Sequence, residues 1–318
     1  MMNMKTAGIH HITAFVRDPQ KTVDFYAGVL GLRLVKQTVN FDAPEVYHLY
    51  LGDEQGTPGT IITFFPWPRS RQGRVGGGQV GVTTFAVPAG ALAFWERRLA
   101  AFGIPFEKTV RFSETVLAFR DGDGLQLEIV EREAGPLSTW SFGGIPAERA
   151  IKGFGGAVLY SLNPGRTAHL LQHVMGLERV GQDGAYIRFR SYGELGNVVD
   201  VLANPVERGA GGAGTVHHIA WRAQDDREHA QWREHMLEHG FQTTPIVDRQ
   251  YFNALYFREE GGIQFEIATD PPGFARDEEP ARLGEKLMLP AWFEARREEI
   301  EAKLTPFEVR EIREVERP

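Results

Sequence analysis

Two adjacent histidine pairs are the residues in this chain best suited to chemistry. His10-His11 sits in the run Gly8-Ile9-His10-His11-Ile12-Thr13-Ala14-Phe15, and His217-His218 in Thr215-Val216-His217-His218-Ile219-Ala220-Trp221. Neighbours on a strand face opposite sides, so each pair can send one imidazole into a cavity while the other stays behind it. A carboxylate brought to the same place would complete a site for a divalent cation. With Cys 0 in the composition, disulfides, thiolate nucleophiles, iron-sulfur clusters and sulfur-bound zinc are excluded, and any metal must be held by His, Asp or Glu.

The elements that would position these residues repeat along the chain. Val29-Leu30-Gly31-Leu32-Arg33-Leu34-Val35-Lys36-Gln37 returns as Val174-Met175-Gly176-Leu177-Glu178-Arg179-Val180-Gly181-Gln182. The stretch from Phe119-Arg120 to Gly124-Leu125-Gln126-Leu127-Glu128-Ile129 returns as Phe257-Arg258 to Gly262-Ile263-Gln264-Phe265-Glu266-Ile267. With the histidine runs, these echoes define four units, each reading as strand, helix and three strands. Asp18-Pro19, Val87-Pro88, Asn163-Pro164 and Asp225-Asp226 supply helix starts. Gly31, Gly103, Gly176 and Gly240, each followed by an apolar residue, supply the stops. The expected fold is α+β, with four βαβββ modules in two domains, 1–140 and 150–272. A tail over 273–318 follows, with an amphipathic helix over 291–304 carrying a Glu299-Lys303 pair.

Four residues beyond a glycine in each final strand stand Thr63, Glu128, Asp200 and Glu266, which is the natural slot for a carboxylate ligand. If neighbouring units paired, neither cavity would hold two histidine strands. If the first unit pairs with the fourth, His11, His218 and Glu266 meet, with Thr63 in the fourth slot. Units two and three then keep Glu128 and Asp200 without a histidine, and these read as structural relics of repetition. A purely structural role for the histidine pairs competes with the metal reading, but unpaired buried charge would be costly.

Other motifs have plainer readings. Gly76-Gly77-Gly78-Gln79-Val80-Gly81 and Gly209-Ala210-Gly211-Gly212-Ala213-Gly214 match a dinucleotide pattern but lead into strands, so they read as connectors. His169/His173 and His235/His239 are four apart on expected helices without the accompanying Glu of a zinc motif, and read as solvated faces. A formal net charge of -7 argues against nucleic acid. The start shows no apolar signal region and the chain no long apolar span, so no membrane is expected and the location is read as cytoplasmic. A homo-oligomer remains open.

His10-His11-Ile12-Thr13, Val35-Lys36-Gln37-Thr38, Tyr47-His48-Leu49-Tyr50, Gly56-Thr57-Pro58-Gly59-Thr60, His217-His218 and Gly261-Gly262-Ile263-Gln264-Phe265-Glu266 together carry a likeness over nearly the whole chain. The sequence resembles the vicinal oxygen chelate (glyoxalase/bleomycin resistance/dioxygenase) superfamily, and within it the ring-cleaving dioxygenases acting on hydroquinones. The resemblance implies metal ligands at His11, His218 and Glu266, holding Fe(II) or sometimes Mn(II), with a small aromatic diol and O2 as partners. It also implies acid-base or substrate-orienting roles for His10, Thr13, His217, Arg249 and Tyr256. Two alternatives share the fold: a glyoxalase I-like lyase, against which Thr63 in the fourth slot argues, and a non-catalytic ligand-binding or resistance protein.

Overall fold

The computed structural model describes residues 4–312; the first three residues and the last six of the tail, 313–318, lie outside the described residues. The first module contributes β1 (Ile9–Val16), β2 (Arg33–Asn40), β3 (Ala43–Gly52) and β4 (Ile61–Pro66), and the second β5 (Gln79–Val87), β6 (Phe106–Arg111), β7 (Glu114–Arg120) and β8 (Gln126–Glu131). The third holds β9 (Gly153–Tyr160), β10 (Glu178–Asp183), β11 (Tyr186–Arg190) and β12 (Val198–Leu202). The fourth holds β13 (Thr215–Ala223), β14 (Val247–Asp248), β15 (Phe252–Arg258) and β16 (Gln264–Pro272).

These strands form two eight-stranded sheets, ordered β14-β15-β16-β13-β1-β4-β3-β2 and β10-β11-β12-β9-β5-β8-β7-β6. The first module therefore joins the fourth through antiparallel β1 and β13, and the second joins the third through antiparallel β5 and β9. Each sheet draws one module from each half of the chain. This is the pairing that gathers the histidine strands.

The helices of the first, third and fourth modules follow the capping chemistry of the sequence. That of the second starts at Leu92 behind Ala91, beyond the expected Val87-Pro88 start and without a side-chain cap. In the first module α1 (Pro19–Val23) is capped by the Asp18 carboxylate, which accepts from the amides of Gln20 and Lys21. In the fourth, the Asp225 carboxylate accepts from the Glu228 amide at the head of the helix α4 (Asp226–Glu238), once α2 (Leu92–Ala101) and α3 (Pro164–His169) have served the two middle modules. Two helices depart from a plain α-helix: α1 and α3 each run on as a π-helical turn, Asp24–Val29 and Leu170–Val174. The long faces of the sheets and the helices share a core that includes Ile12, Phe64, Trp95, Phe154, Trp221 and Phe265.

The tail is anchored by charge and by aromatic packing. The fully buried Lys36 ammonium meets Asp277 at 2.6 Å and also Glu278, while the Arg33 guanidinium donates to the carbonyls of Pro280 and Ala281. Phe274 packs on Tyr50 and Tyr251, with ring centres 4.9 Å and 5.3 Å away. The expected helix over 291–304 is two short helices, α5 (Ala291–Glu294) and α6 (Arg297–Glu301). Arg296 leaves helical backbone between them at φ -113° and ψ 13°. The Glu299-Lys303 pair forms at 2.7 Å on an exposed face, where such a pair contributes little.

Candidate metal centre

Sheet register explains why three distant side chains converge. On β1 and β13, His11 lies opposite Ala220 and Thr13 opposite His218. Ala220 in turn lies beside Glu266 on β16, and Thr13 beside Thr63 on β4. Residues abreast in a sheet face the same side, and so do residues two apart on one strand. Glu266, Ala220 and His11 thus form one row, with His218 and Thr13 in the next. Ala220, the smallest side chain of its row, leaves the space into which His11 and Glu266 reach.

His11 Nε2 and His218 Nε2 are 3.2 Å apart, and Glu266 Oε2 lies 3.4 Å from the first and 2.9 Å from the second. All three residues are buried, Glu266 completely. Among the described residues this is the group of His, Asp and Glu side chains whose ligand atoms could share one ion, all within 4.8 Å of one another.

Each ligand histidine is oriented by its sequence neighbour. His10 Nδ1 lies 2.9 Å from His11 Nδ1, and His10 Nε2 lies 3.1 Å from the carbonyl of Thr269. The carbonyl can only accept, so His10 carries its proton on Nε2 and accepts at Nδ1 from His11. That leaves His11 Nε2 with a free lone pair toward Glu266. His217 Nδ1 stands 2.6 Å from His218 Nδ1, placed to accept the Nδ1 proton that an ion-bound His218 would carry. Holding the far nitrogen of a ligand imidazole in this way fixes its tautomer and raises its basicity.

The protonation states leave the centre short of positive charge. Burial, and then the neighbouring imidazole of His11, push the His10 pKa well below its ordinary value. Desolvation followed by His218 pushes His217 down to about 3, although it opens onto the cavity. His218 is also lowered, by burial first. Burial alone would raise the Glu266 carboxyl, but the facing His11 and His218 rings hold it well below the usual range. The Glu266 carboxylate is therefore ionised and fully buried between two imidazoles, and neither of its oxygens receives a hydrogen bond. Glu266 Oε2 approaches both Nε2 atoms, at 3.4 Å and 2.9 Å, so the three converge on one point. A divalent cation fits this donor set, because it supplies the missing charge and accepts all three lone pairs.

Above the three donors opens a cavity of about 450 Å³. Phe15, Phe41, Phe65, Trp67 and Phe252 make its walls aromatic, and His48, Tyr50, His217, Arg249 and Tyr256 add polar groups. Arg249 Nε donates to the Tyr256 hydroxyl at 3.1 Å, and its guanidinium also meets Asp42 at 3.1 Å across the mouth. Tyr256 lies beside Glu266 in the sheet, and burial followed by that carboxylate raises its pKa, so the phenol stays protonated. Thr13 Oγ1 lies 2.9 Å from His218 Nε2. All eight expected site residues are thus within or against one centre. His48 and Tyr50, which occur in the sequence only as part of a motif, join them on the cavity wall.

The corresponding place in the other sheet holds a guanidinium. Arg111 donates to both oxygens of Glu128, at 2.9 Å and 2.7 Å, and to Asp200 at 2.8 Å. Arg188 grips Asp200 from the other side at 2.7 Å and 2.9 Å. Val82 and Gly156 stand where His218 and His11 stand in the first sheet, two residues before the partners of Glu128 and Asp200. Elsewhere His169 and His173 are exposed as expected, but His235 is not on a solvated face. It is buried with Nε2 2.8 Å from the Val174 carbonyl, satisfied by packing between modules.

Comparison with known proteins agrees with this architecture. Over 311 residues, 98% of this chain and 100% of the relative, the sequence is 60% identical to MhqO of Bacillus subtilis (strain 168), named as a ring-cleaving dioxygenase. It is 32% identical over 308 residues, 93% of this chain and 95% of the relative, to a chlorohydroquinone/hydroquinone 1,2-dioxygenase of Sphingobium indicum. The crystal structure of a protein described as a dioxygenase from Bacillus subtilis subsp. subtilis str. 168 superposes with a TM-score of 0.96 at 60% identity, covering 97% of this chain and 100% of that one. No helix among the described residues is long and apolar enough to cross a membrane. A family model matches residues 8–129 and 157–267, and the chain belongs to the Glyoxalase/Bleomycin resistance protein/Dioxygenase superfamily.

Proposed function

We propose that this protein is an Fe(II)-dependent ring-cleaving dioxygenase that opens a hydroquinone-type or other dihydroxylated aromatic ring with O2. The observation that carries the reading is the set of three lone-pair donors, His11, His218 and Glu266, on the floor of an aromatic-walled cavity. Two histidines and one carboxylate leave positions on an octahedral ion for both a diol and O2. Bound there, iron(II) would supply a redox centre that passes electron density from ring to O2, and both oxygen atoms enter the opened product.

The chain's own groups prepare that chemistry. The aromatic walls exclude water and stack against a planar ring. Arg249 keeps its charge: burial alone would loosen its proton, but Tyr256, Asp42 and Glu266 outweigh it. It is placed to neutralise an ionised phenol. Tyr256, protonated and held by Arg249, offers a hydrogen bond to an oxygen on the same side. His217, whose Nδ1 is engaged by His218, presents Nε2 to the cavity as a donor. His10 keeps His11 in the tautomer that faces the ion, and Thr13 places a hydroxyl at the donor cluster.

A lyase of the glyoxalase I type is disfavoured because Thr63, in the fourth carboxylate slot, is engaged by the Thr13 hydroxyl at 2.8 Å. The acidic balance of -7 supports small molecules over nucleic acid as partners, and a cytoplasmic location suits a centre that needs reduced iron. The test is anaerobic loading with Fe(II), then air and a panel of hydroquinones. Oxygen uptake with a ring-opened chromophore supports the reading. Turnover of a methylglyoxal-glutathione adduct without oxygen uptake would replace it by the lyase.

A further inference from the structure

A polar line crosses the cavity wall from Tyr50 to the metal centre, and the chemistry above leaves its outer members without a role. The Tyr50 hydroxyl lies 2.8 Å from His48 Nδ1, and His48 Nε2 lies 2.8 Å from Thr63 Oγ1. Thr63 Oγ1 lies 2.8 Å from Thr13 Oγ1, which lies 2.9 Å from His218 Nε2. The line runs along β3, β4, β1 and β13, with Tyr50 abreast of Thr63 and Thr63 abreast of Thr13.

Hydroxyls and neutral imidazoles can each point either way, so the ends of the line decide its direction. Tyr50 is 1% exposed, its ring packs among those of Tyr251, Phe252 and Phe274, and its hydroxyl meets the nitrogen acceptor His48 Nδ1. Accepting there would leave the phenolic proton buried without an acceptor, so Tyr50 donates. His48 then bears its proton on Nε2 and donates to Thr63, and Thr63 donates to Thr13. At the inner end His218 must turn a Nε2 lone pair outward to bind an ion, and to that lone pair Thr13 can only donate.

We infer that Tyr50, His48 and Thr63 form a one-way hydrogen-bond line that fixes the Thr13 hydroxyl as a donor at the metal centre, with His48 and Tyr50 as positioning residues for an ionised phenolic oxygen of the substrate. The inference rests on the reading of the site as one that seats such a phenol. When the ion takes the His218 lone pair, the Thr13 proton is left for the substrate's anionic oxygen. A charge-assisted hydrogen bond of this kind is stronger than one between neutral groups. Were the line reversed, Thr13 would show that oxygen a lone pair and repel it.

Two measurements test this. Long-range 1H–15N correlation on the labelled metal-free protein should show His48 neutral with its proton on Nε2, and Tyr50→Phe should turn that into a mixture of tautomers. A proton on Nδ1 of His48 in the parent protein would overturn the inference. Anaerobic calorimetric titration of the Fe(II)-loaded protein with hydroquinone is the second. His48→Phe and Thr63→Val should each weaken Kd by about tenfold with iron content retained, as expected for one hydrogen bond to a charged group. His48→Gln, whose amide can donate to Thr63, should recover most of the loss. The double variant His48→Phe/Thr63→Val should bind no more weakly than either single one, because both cut the same line. Additive losses, or unchanged binding in His48→Phe, would also overturn it. If the parent protein binds no hydroquinone, the substrate reading fails and the His48 tautomer alone decides the line.

Discussion

His11 Nε2 and His218 Nε2 face each other across 3.2 Å, and Glu266 Oε2 lies within 3.4 Å of both. The far nitrogen of each ring is held by the histidine before it, which lets the near nitrogens turn lone pairs toward an ion beside the Glu266 carboxylate. Two acceptors at this distance repel until a cation comes between them.

The first prediction concerns metal and stability together. Glu266→Gln should lose most bound metal, whereas Glu128→Gln should keep it. Adding Fe(II) anaerobically at 100 times Kd should stabilise the parent by about 2.7 kcal/mol and leave Glu266→Gln unmoved. Glu128→Gln should instead lose stability, by about 3 kcal/mol or more, because it leaves the buried Arg111 guanidinium without its bidentate partner. Metal analysis and thermal melts check both; equal metal loss in the two variants would contradict the pairing of function with the first sheet.

Removing the orienting neighbour should weaken the metal without removing it. His10→Phe leaves the His11 Nδ1 proton without its acceptor and should lower metal affinity about 10- to 100-fold. Competition with a chelator measures this, and unchanged affinity would show that His10 does not set the His11 tautomer.

Arg249→Met should keep its iron yet lose about 100-fold or more in kcat/KM, the usual scale for removing one donor to developing charge. Tyr256→Phe removes the hydroxyl that Arg249 holds at 3.1 Å, so the double variant should be less impaired than the product of the two single losses. Oxygen-electrode kinetics on iron-replete variants decide it.

A pH-dependence of stability is built in far from the metal. Asp121, which accepts from the Tyr26 hydroxyl at 2.9 Å, has its pKa raised from 3.8 to about 6, chiefly by burial. Between these values the folded chain holds a proton that the unfolded chain has released, so stability falls as pH rises through that window and the penalty is complete above it. Asp121→Asn, which cannot ionise, should therefore stabilise the protein at pH 8 by up to about 3 kcal/mol, and the gain should vanish near pH 4. Denaturant melts at the two pH values test the sign.

Much of the centre could be read from residue spacing because repetition marks it. The same offset from a glycine produced Thr63, Glu128, Asp200 and Glu266, and only joining the first unit to the fourth placed both histidine strands beside Glu266, as β1 and β13 now show. Features without an echo could not be read in this way. Arg111 is on β6, a strand with no counterpart motif, so nothing signalled that a guanidinium fills the second sheet's equivalent site. His48 and Tyr50 stand two apart on one strand, a spacing common to any half-buried strand, and their link to Thr13 passes through sheet register. His235 looked solvated because helical spacing fixes its face but not what packs there; the neighbouring module's Val174 carbonyl does.

The most direct test of the account is ring opening under 18O2 with the Fe(II)-loaded protein and a hydroquinone, followed by mass spectrometry of the product. The account predicts that one product molecule carries both labelled oxygen atoms, and that Glu266→Gln forms none. Product without label, or equal product from Glu266→Gln, would contradict it.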